Sequence, residues 1–153
     1  MAEKRKLANI PKVLLLYRLH TDNVSNIHAK EQAGGARVIR QAELEKLGLQ
    51  PTLDELFVHN SSRPKNNTDI KTFLTMQEKW LQKIIDANKK SHIYKEKSLR
   101  KVIYKRWYDI CSINLSHGTI VWEKFKNSSL YKLGGSKRMF DSIKIFIKTF
   151  WKK

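Results

Sequence analysis

The chain is poor in cysteine, in acidic residues and in long apolar runs, and each shortage rules something out. Its one cysteine, Cys111, leaves no partner for an intramolecular disulfide and no cysteine-rich zinc site, so a reducing, intracellular compartment is expected. No stretch approaches the roughly 18 apolar residues that a membrane span requires. The only N-terminal apolar run, residues 13–17, is five residues long and is followed by Arg18 and His20, a pattern that does not read as a signal peptide. The Asn-x-Ser/Thr sequons at Asn23, Asn60, Asn66, Asn114 and Asn127 are accordingly expected to be coincidental. Histidine shows no pattern either: His20, His28, His59, His92 and His117 are scattered, without the i, i+4 pair of a zinc site.

What the chain has in excess is positive charge. Against 14 Asp and Glu stand 31 Lys and Arg, a formal charge of +17, which favours polyanionic partners: nucleic acid or an anionic membrane surface. The excess is uneven. Residues 1–48 carry +4, residues 49–68 are neutral, residues 69–92 carry +2 and residues 93–153 carry +11. With 153 residues, 41% of them hydrophobic, the chain has material for one domain with a modest core.

Pro11 opens a short apolar segment, Val13 to Leu16 with Tyr17 and Leu19, too brief for periodicity to separate helix from strand. Ala33-Gly34-Gly35 reads as a break. Residues 36–47 then read as a helix with a narrow stripe of Val38, Ala42, Leu44 and Leu47, and with Gly48 at the C-terminal cap. Thr52 stands three residues before Glu55, the spacing of a capping box, so a short helix is expected from Leu53. Leu53, Leu56, Phe57 and Val58 would dock it, and Asn60-Ser61-Ser62-Arg63-Pro64 would end it.

Thr68 or Asp69 can cap a long helix in which Ile70, Phe73, Leu74, Leu81, Ile84 and Ile85 recur at three- and four-residue intervals. A second long helix is expected through Leu99, Val102, Ile103, Trp107, Ile110 and Cys111. Residues 119–122 (TIVW) favour a strand or an extended buried run. Gly134-Gly135-Ser136 leads into a helix over 137–151, with Met139, Ile143, Phe146, Ile147 and Phe150 on one face. The expected fold is mainly α: a small irregular helical bundle with a loop-rich N-terminal part, its core built by the helices of Ile70, Leu99 and Ile143. Three regions organise it: a basic, poorly defined segment 1–35, a helix, turn, short helix and polar loop over 36–68, and a basic helical region 69–153.

No arrangement demands catalysis. Asp54, Asp69, Asp86 and Asp109 lack the spacing of a carboxylate cluster, and Cys111 falls on an apolar helix face, where a buried thiol is expected. Gly34-Gly35-Ala36-Arg37 and Gly134-Gly135-Ser136-Lys137 resemble phosphate-binding helix entries, without a Walker lysine pattern after a strand. The expectation is a protein that is not an enzyme and needs no cofactor or metal.

Binding is expected along residues 95–108 (KEKSLRKVIYKRWY), where Lys95, Lys97, Arg100, Lys101, Lys105 and Arg106 can neutralise phosphates while Tyr104, Trp107 and Tyr108 stack on unpaired bases. Lys137 and Arg138 extend this candidate nucleic-acid site. In the competing arrangement the aromatics are core and the lysines a solvated helix face. The terminal helix has a second use as a basic amphipathic helix at a membrane interface, acting through Phe146, Phe150 and Trp151; burial of its apolar face in the core is the expectation. Lys4-Arg5-Lys6 suits nuclear import, and the run of Lys4, Arg5, Lys6, Lys12 and Arg18 also permits a mitochondrial leader.

Residues 48–74 carry one further signal. Gly48, Pro51, Thr52, Glu55, Leu56, Phe57 and His59, followed by Lys65 and Phe73, resemble a segment of plant transposases of the Ptta/En/Spm class. Asn60-Ser61 departs from that family's Thr-His-like pair, and Leu74 stands where an acidic residue usually follows the Phe. The resemblance covers about a quarter of the chain, lies outside any catalytic acidic triad, and implies transposon ancestry without strand-transfer activity. The function expected is therefore nucleic-acid binding by an accessory or transposon-derived protein, nuclear in location. The alternatives are a peripheral membrane or partner-helix protein, and a fragment or spurious reading frame without selected activity.

Overall fold

Apolar side chains recurring every three or four residues can bury together on one side of a helix, and from Ala29 onward most of the described chain is helical. A computed structural model describes residues 10–16, 29–65 and 67–151. Its helices are α1 (Ala29–Lys46), α2 (Leu53–Asn60), α3 (Ile70–Ser91), α4 (Glu96–Ile113), α5 (Thr119–Asn127) and α6 (Lys137–Phe150), with 3-10 turns at Leu115–His117 and Ser129–Gly134. No strand occurs among the described residues, and the fold is a mainly α, irregular helical bundle. The chain divides into two compact units, residues 1–36 and 37–153. The basic residues 4–6, Tyr17, Leu19, His20, Asn23, His28, Asn66 and Lys152-Lys153 lie outside the described residues.

In the first unit, residues 10–16 form neither helix nor strand, and Val13, Leu14, Leu15 and Leu16 are exposed. The break expected at Gly34-Gly35 is absent: α1 runs through both glycines. A glycine costs a helix about 1 kcal/mol relative to alanine, which flanking strong formers such as Ala36, Arg37 and Gln41 outweigh. Where α1 does stop, Gly48 adopts φ +75°, its N–H donates to Glu45 O at 2.8 Å and the Leu49 N–H to Leu44 O at 3.0 Å. That is the double bond of a Schellman cap, which only glycine enters without strain. Leu44, Leu47 and Leu49 are buried beside it, whereas Val38 is exposed and forms no stripe with them.

The capping box forms as its spacing predicts. Glu55 N–H donates to Thr52 Oγ1 at 3.2 Å and Thr52 N–H to Glu55 Oε2 at 2.9 Å. Val58 is the buried anchor of α2, Leu56 and Phe57 are partly buried, and Leu53 is exposed instead of docked. Asp69 caps α3 by accepting from Thr72 N–H at 2.9 Å. At the other end His92 takes a left-handed φ of 54°, and Asn88 clamps the turn through bonds to both the N–H and the C=O of Tyr94.

The core sits where α4 meets α3, α5, α6 and the 3-10 turns. Trp107, Ile110 and Cys111 of α4 are fully buried, with Phe73 and Leu74 of α3, Phe125 of α5 and Leu130 of the second turn. Each such side chain contributes roughly 1.5–3 kcal/mol through burial. Val102, expected on this face, is instead exposed. Residues 119–122, expected as strand or extended, belong to α5: Gly118 at φ 67° breaks the chain before them, and helical spacing buries Val121 and Phe125 together. Packing overrides the β preference of Ile120 and Val121.

The largest departure concerns α6. Met139, Ile143, Phe146, Ile147 and Phe150, expected to enter the core, are all exposed. The buried residues of α6 are Asp141 and Ile145, one helical turn apart. Asp141 accepts a hydrogen bond from Tyr104 Oη at 3.0 Å, so the core takes a carboxylate where the sequence pattern offers a phenylalanine face.

Gly134 makes room for that bond, because a Cβ there would overlap the buried Tyr104 ring. Gly134→Ala should lower stability by about 1–3 kcal/mol by displacing the ring, measured as a fall in the urea midpoint at unchanged m-value. An unchanged midpoint would show that the ring is free to shift.

Candidate nucleic-acid interface

The ten residues expected to bind nucleic acid do not share one environment. Lys95 and Lys97 at the start of α4, and Lys101 within it, are exposed. Lys97, Lys101 and Lys105 follow one another at four-residue spacing and so share a helix face. Arg100 lies against Glu96, with Nε 2.9 Å from Oε1, and Lys105 pairs with Asp109 at 2.5 Å. Both are surface pairs, worth at most about 1 kcal/mol and open to competition from a phosphate. Lys137 and Arg138 open α6, both exposed, with the Arg138 guanidinium 5.5 Å from the centre of the Tyr131 ring.

Three members leave the site. Trp107 is fully buried and Tyr104 nearly so, with its hydroxyl committed to Asp141, so neither ring can stack on a base in this fold. Burial, with Asp141 beside it, pushes the Tyr104 hydroxyl well above its ordinary value. Arg106 turns inward, and its Nη2 donates to Ser61 O at 3.0 Å and His59 O at 3.4 Å. It satisfies carbonyls at the end of α2, an assignment that helical periodicity could not show because both partners are about 45 residues distant in sequence.

The acidic residues explain why the remaining cations stay available. Of the four in residues 93–153, Glu96 and Asp109 are paired with Arg100 and Lys105, and Asp141 is buried against Tyr104. Glu78 of α3 engages Lys124 at 2.9 Å and accepts from Ser128 Oγ at 2.7 Å and Ser129 N–H at 3.0 Å. Against burial, which raises it, these partners hold the Glu78 carboxyl below its usual range. Among the described residues, Lys97, Lys101, Lys137 and Arg138 have no carboxylate within ion-pair distance.

Two features stand outside that site, and only the second had no signal in the sequence. One is the exposed apolar side of α6, extended by Phe140 and Trp151 and joined by Trp122 of α5, whose ring meets Phe146 and Phe150 edge-on at 5.6 and 6.4 Å. The other is His59. It accepts from Trp80 Nε1 at 3.1 Å through Nδ1 and lies near Arg106 and Arg40. Burial first, then those two cations, lower the His59 pKa, which keeps the ring neutral with its proton on Nε2.

Among the described residues no three His, Cys, Asp or Glu are grouped so as to hold a metal ion, and no helix is long and apolar enough to cross a membrane. Cys111 is buried, which pushes its thiol pKa well up and makes it a poor nucleophile. No protein-family model, curated protein or solved structure matches the chain.

The His59 environment fixes a pH dependence. The unfolded imidazole takes up its proton near its ordinary value of 6.5, the folded one only at lower pH, so stability is full above 6.5 and falls as pH drops below it. Urea unfolding at pH 7.5 and 5.5 should show this loss, and His59→Gln should remove that part of it. A pH dependence unaltered by His59→Gln would contradict the assignment.

Proposed function

We propose that the chain is a non-enzymatic nucleic-acid-binding protein, transposon-derived and nuclear, that grips the phosphate backbone with little sequence preference. The observation that carries this reading is the set of exposed cations on the outer side of α4 and at the start of α6, of which Lys97, Lys101, Lys137 and Arg138 have no carboxylate within ion-pair distance among the described residues, in a region of charge +11. The residues assigned to the phosphates are Lys97, Lys101, Lys105, Lys137 and Arg138, with Lys95 and Arg100 at the margin. With Tyr104 and Trp107 buried, the mode is electrostatic, without base stacking. The resemblance of residues 48–74 to Ptta/En/Spm transposases supports the ancestry, and supports no catalytic step.

Such binding weakens steeply with salt. Changing Lys97, Lys101 and Lys105 to Gln should reduce the slope of log K against log salt on duplex DNA by up to about 0.9 for each phosphate left unneutralised, equally for duplexes of different sequence. An unchanged slope would remove α4 from the interface.

A second reading rests on the exposed side of α6. Met139, Phe140, Ile143, Phe150 and Trp151, with Lys144 and Lys148 on the same helix, suit insertion into an anionic lipid surface. Vesicles containing phosphatidylserine should then bind the chain, and Phe140→Glu with Ile143→Glu should abolish that binding, each missing anchor costing roughly 1.5–3 kcal/mol. Indifference to both substitutions in co-sedimentation would exclude this use of α6.

A further inference from the structure

Beside α2 lies a cleft of about 300 Å³ that the phosphate-binding surface does not use. Arg40 of α1, His59 of α2 and Arg106 of α4 line it, and Trp80, Ile84 and Val102 give it apolar walls. Its volume is at the lower end of the roughly 300–1,000 Å³ range of small-molecule sites.

The charge in this cleft is not balanced. Arg40 Nη1 donates to Asn60 Oδ1 at 3.0 Å, and Arg106 donates to the carbonyls of His59 and Ser61. Among the described residues neither guanidinium has a carboxylate within ion-pair distance. Their partners at the end of α2 present the equivalent of about half a negative charge, against two full positive ones. Asp109 acts on Arg106 only at longer range, and α3 contributes no charged group to the lining. His59 lines the cleft too, and with Trp80 donating to Nδ1 the neutral ring carries its proton on Nε2. Gln77 also lines the cleft; its Nε2 is spent on Val58 O at 2.8 Å and Ser61 O at 2.9 Å, while its Oε1 is buried without a hydrogen-bond partner.

We infer that this cleft binds a small amphipathic anion: an oxyanion head held by Arg40, Arg106 and the His59 Nε2–H, on an apolar body lying against Ile84 and Val102. Two guanidiniums and an imidazole N–H match the several acceptor lone pairs of a carboxylate or phosphate. The apolar walls select against a bare inorganic ion. The inference stands apart from the nucleic-acid reading, since it uses none of Lys97, Lys101, Lys105, Lys137 or Arg138.

The test is a titration of the full chain with octanoate, adenosine monophosphate and inorganic phosphate, following the His59 ring resonances by NMR. Octanoate or the nucleotide should move those resonances saturably and raise the pH at which His59 titrates, because the bound charge offsets Arg40 and Arg106. The tighter of the two identifies whether the head is a carboxylate or a nucleotide phosphate. Inorganic phosphate should bind at least about five-fold more weakly, lacking an apolar body. Arg40→Gln and Val102→Glu, both at exposed positions, should each weaken binding about ten-fold. Arg40→Gln should keep the salt-dependent DNA binding proposed for the lysines of α4. The inference is overturned by the absence of a saturable His59 shift, by equal affinity for phosphate and octanoate, or by unchanged affinity in both variants.

Discussion

The bond from Tyr104 to Asp141 sets the rotation of α6, and most of the surface follows from it. A helix can present one side to the core, and with Asp141 and Ile145 inward the residues about 100° to 180° away must face out. Met139, Phe140, Ile143, Phe146 and Ile147 are therefore exposed, although their spacing is that of a core stripe. A carboxylate in a nearly dry site is costly unless something donates to it. Tyr104 is that donor, and Gly134 supplies the room its ring needs. One buried polar contact thus withdraws an aromatic from the candidate binding surface and turns an apolar helix face outward.

A second joint lies at the end of α2, in the electrically neutral stretch of the chain. The carbonyls of residues 58–62 accept from Gln77 of α3, Arg106 of α4 and Asn114 beyond α4: Gln77 reaches Val58 and Ser61, Arg106 reaches His59 and Ser61, and Asn114 reaches Ser62 at 2.7 Å. A chain leaving a helix exposes unpaired carbonyls, and burial of such a turn requires donors from elsewhere. Here those donors come from three separated places in sequence. Of the described residues in the neutral stretch only Leu49 and Val58 are buried, so the joint is made by backbone carbonyls more than by apolar packing. It holds α2, α3 and α4 together, leaving the polycationic surface to the other side of α4.

This division accounts for what could be read from the sequence. Local signals were legible wherever the partner lies within one or two turns: the Thr52/Glu55 box, the Gly48 cap, the Asp69 cap and the apolar spacing of α3 and of much of α4. What depends on distant partners was not. The tolerance of α1 for Gly34-Gly35, the helical state of residues 119–122, the inward turn of Arg106 and the rotation of α6 are each decided by tertiary packing or by a sum over many neighbours. Periodicity identified the apolar side of α6 correctly; it carried no information that a carboxylate on the opposite side would claim the core.

The same reasoning separates the cations that hold the fold from those available to a partner. Arg106 is half-buried and bonded to carbonyls, so its removal would strand acceptors and confound any binding measurement. Lys97, Lys101 and Lys105 make at most surface ion pairs, so their charge acts on solvent and on whatever approaches within a Debye length of about 8–10 Å. Within the helix Asp109 offsets Lys105, while Lys97 and Lys101 have no carboxylate within ion-pair distance among the described residues. A polyanion approaching the outer side of α4 would be attracted by that uncompensated charge.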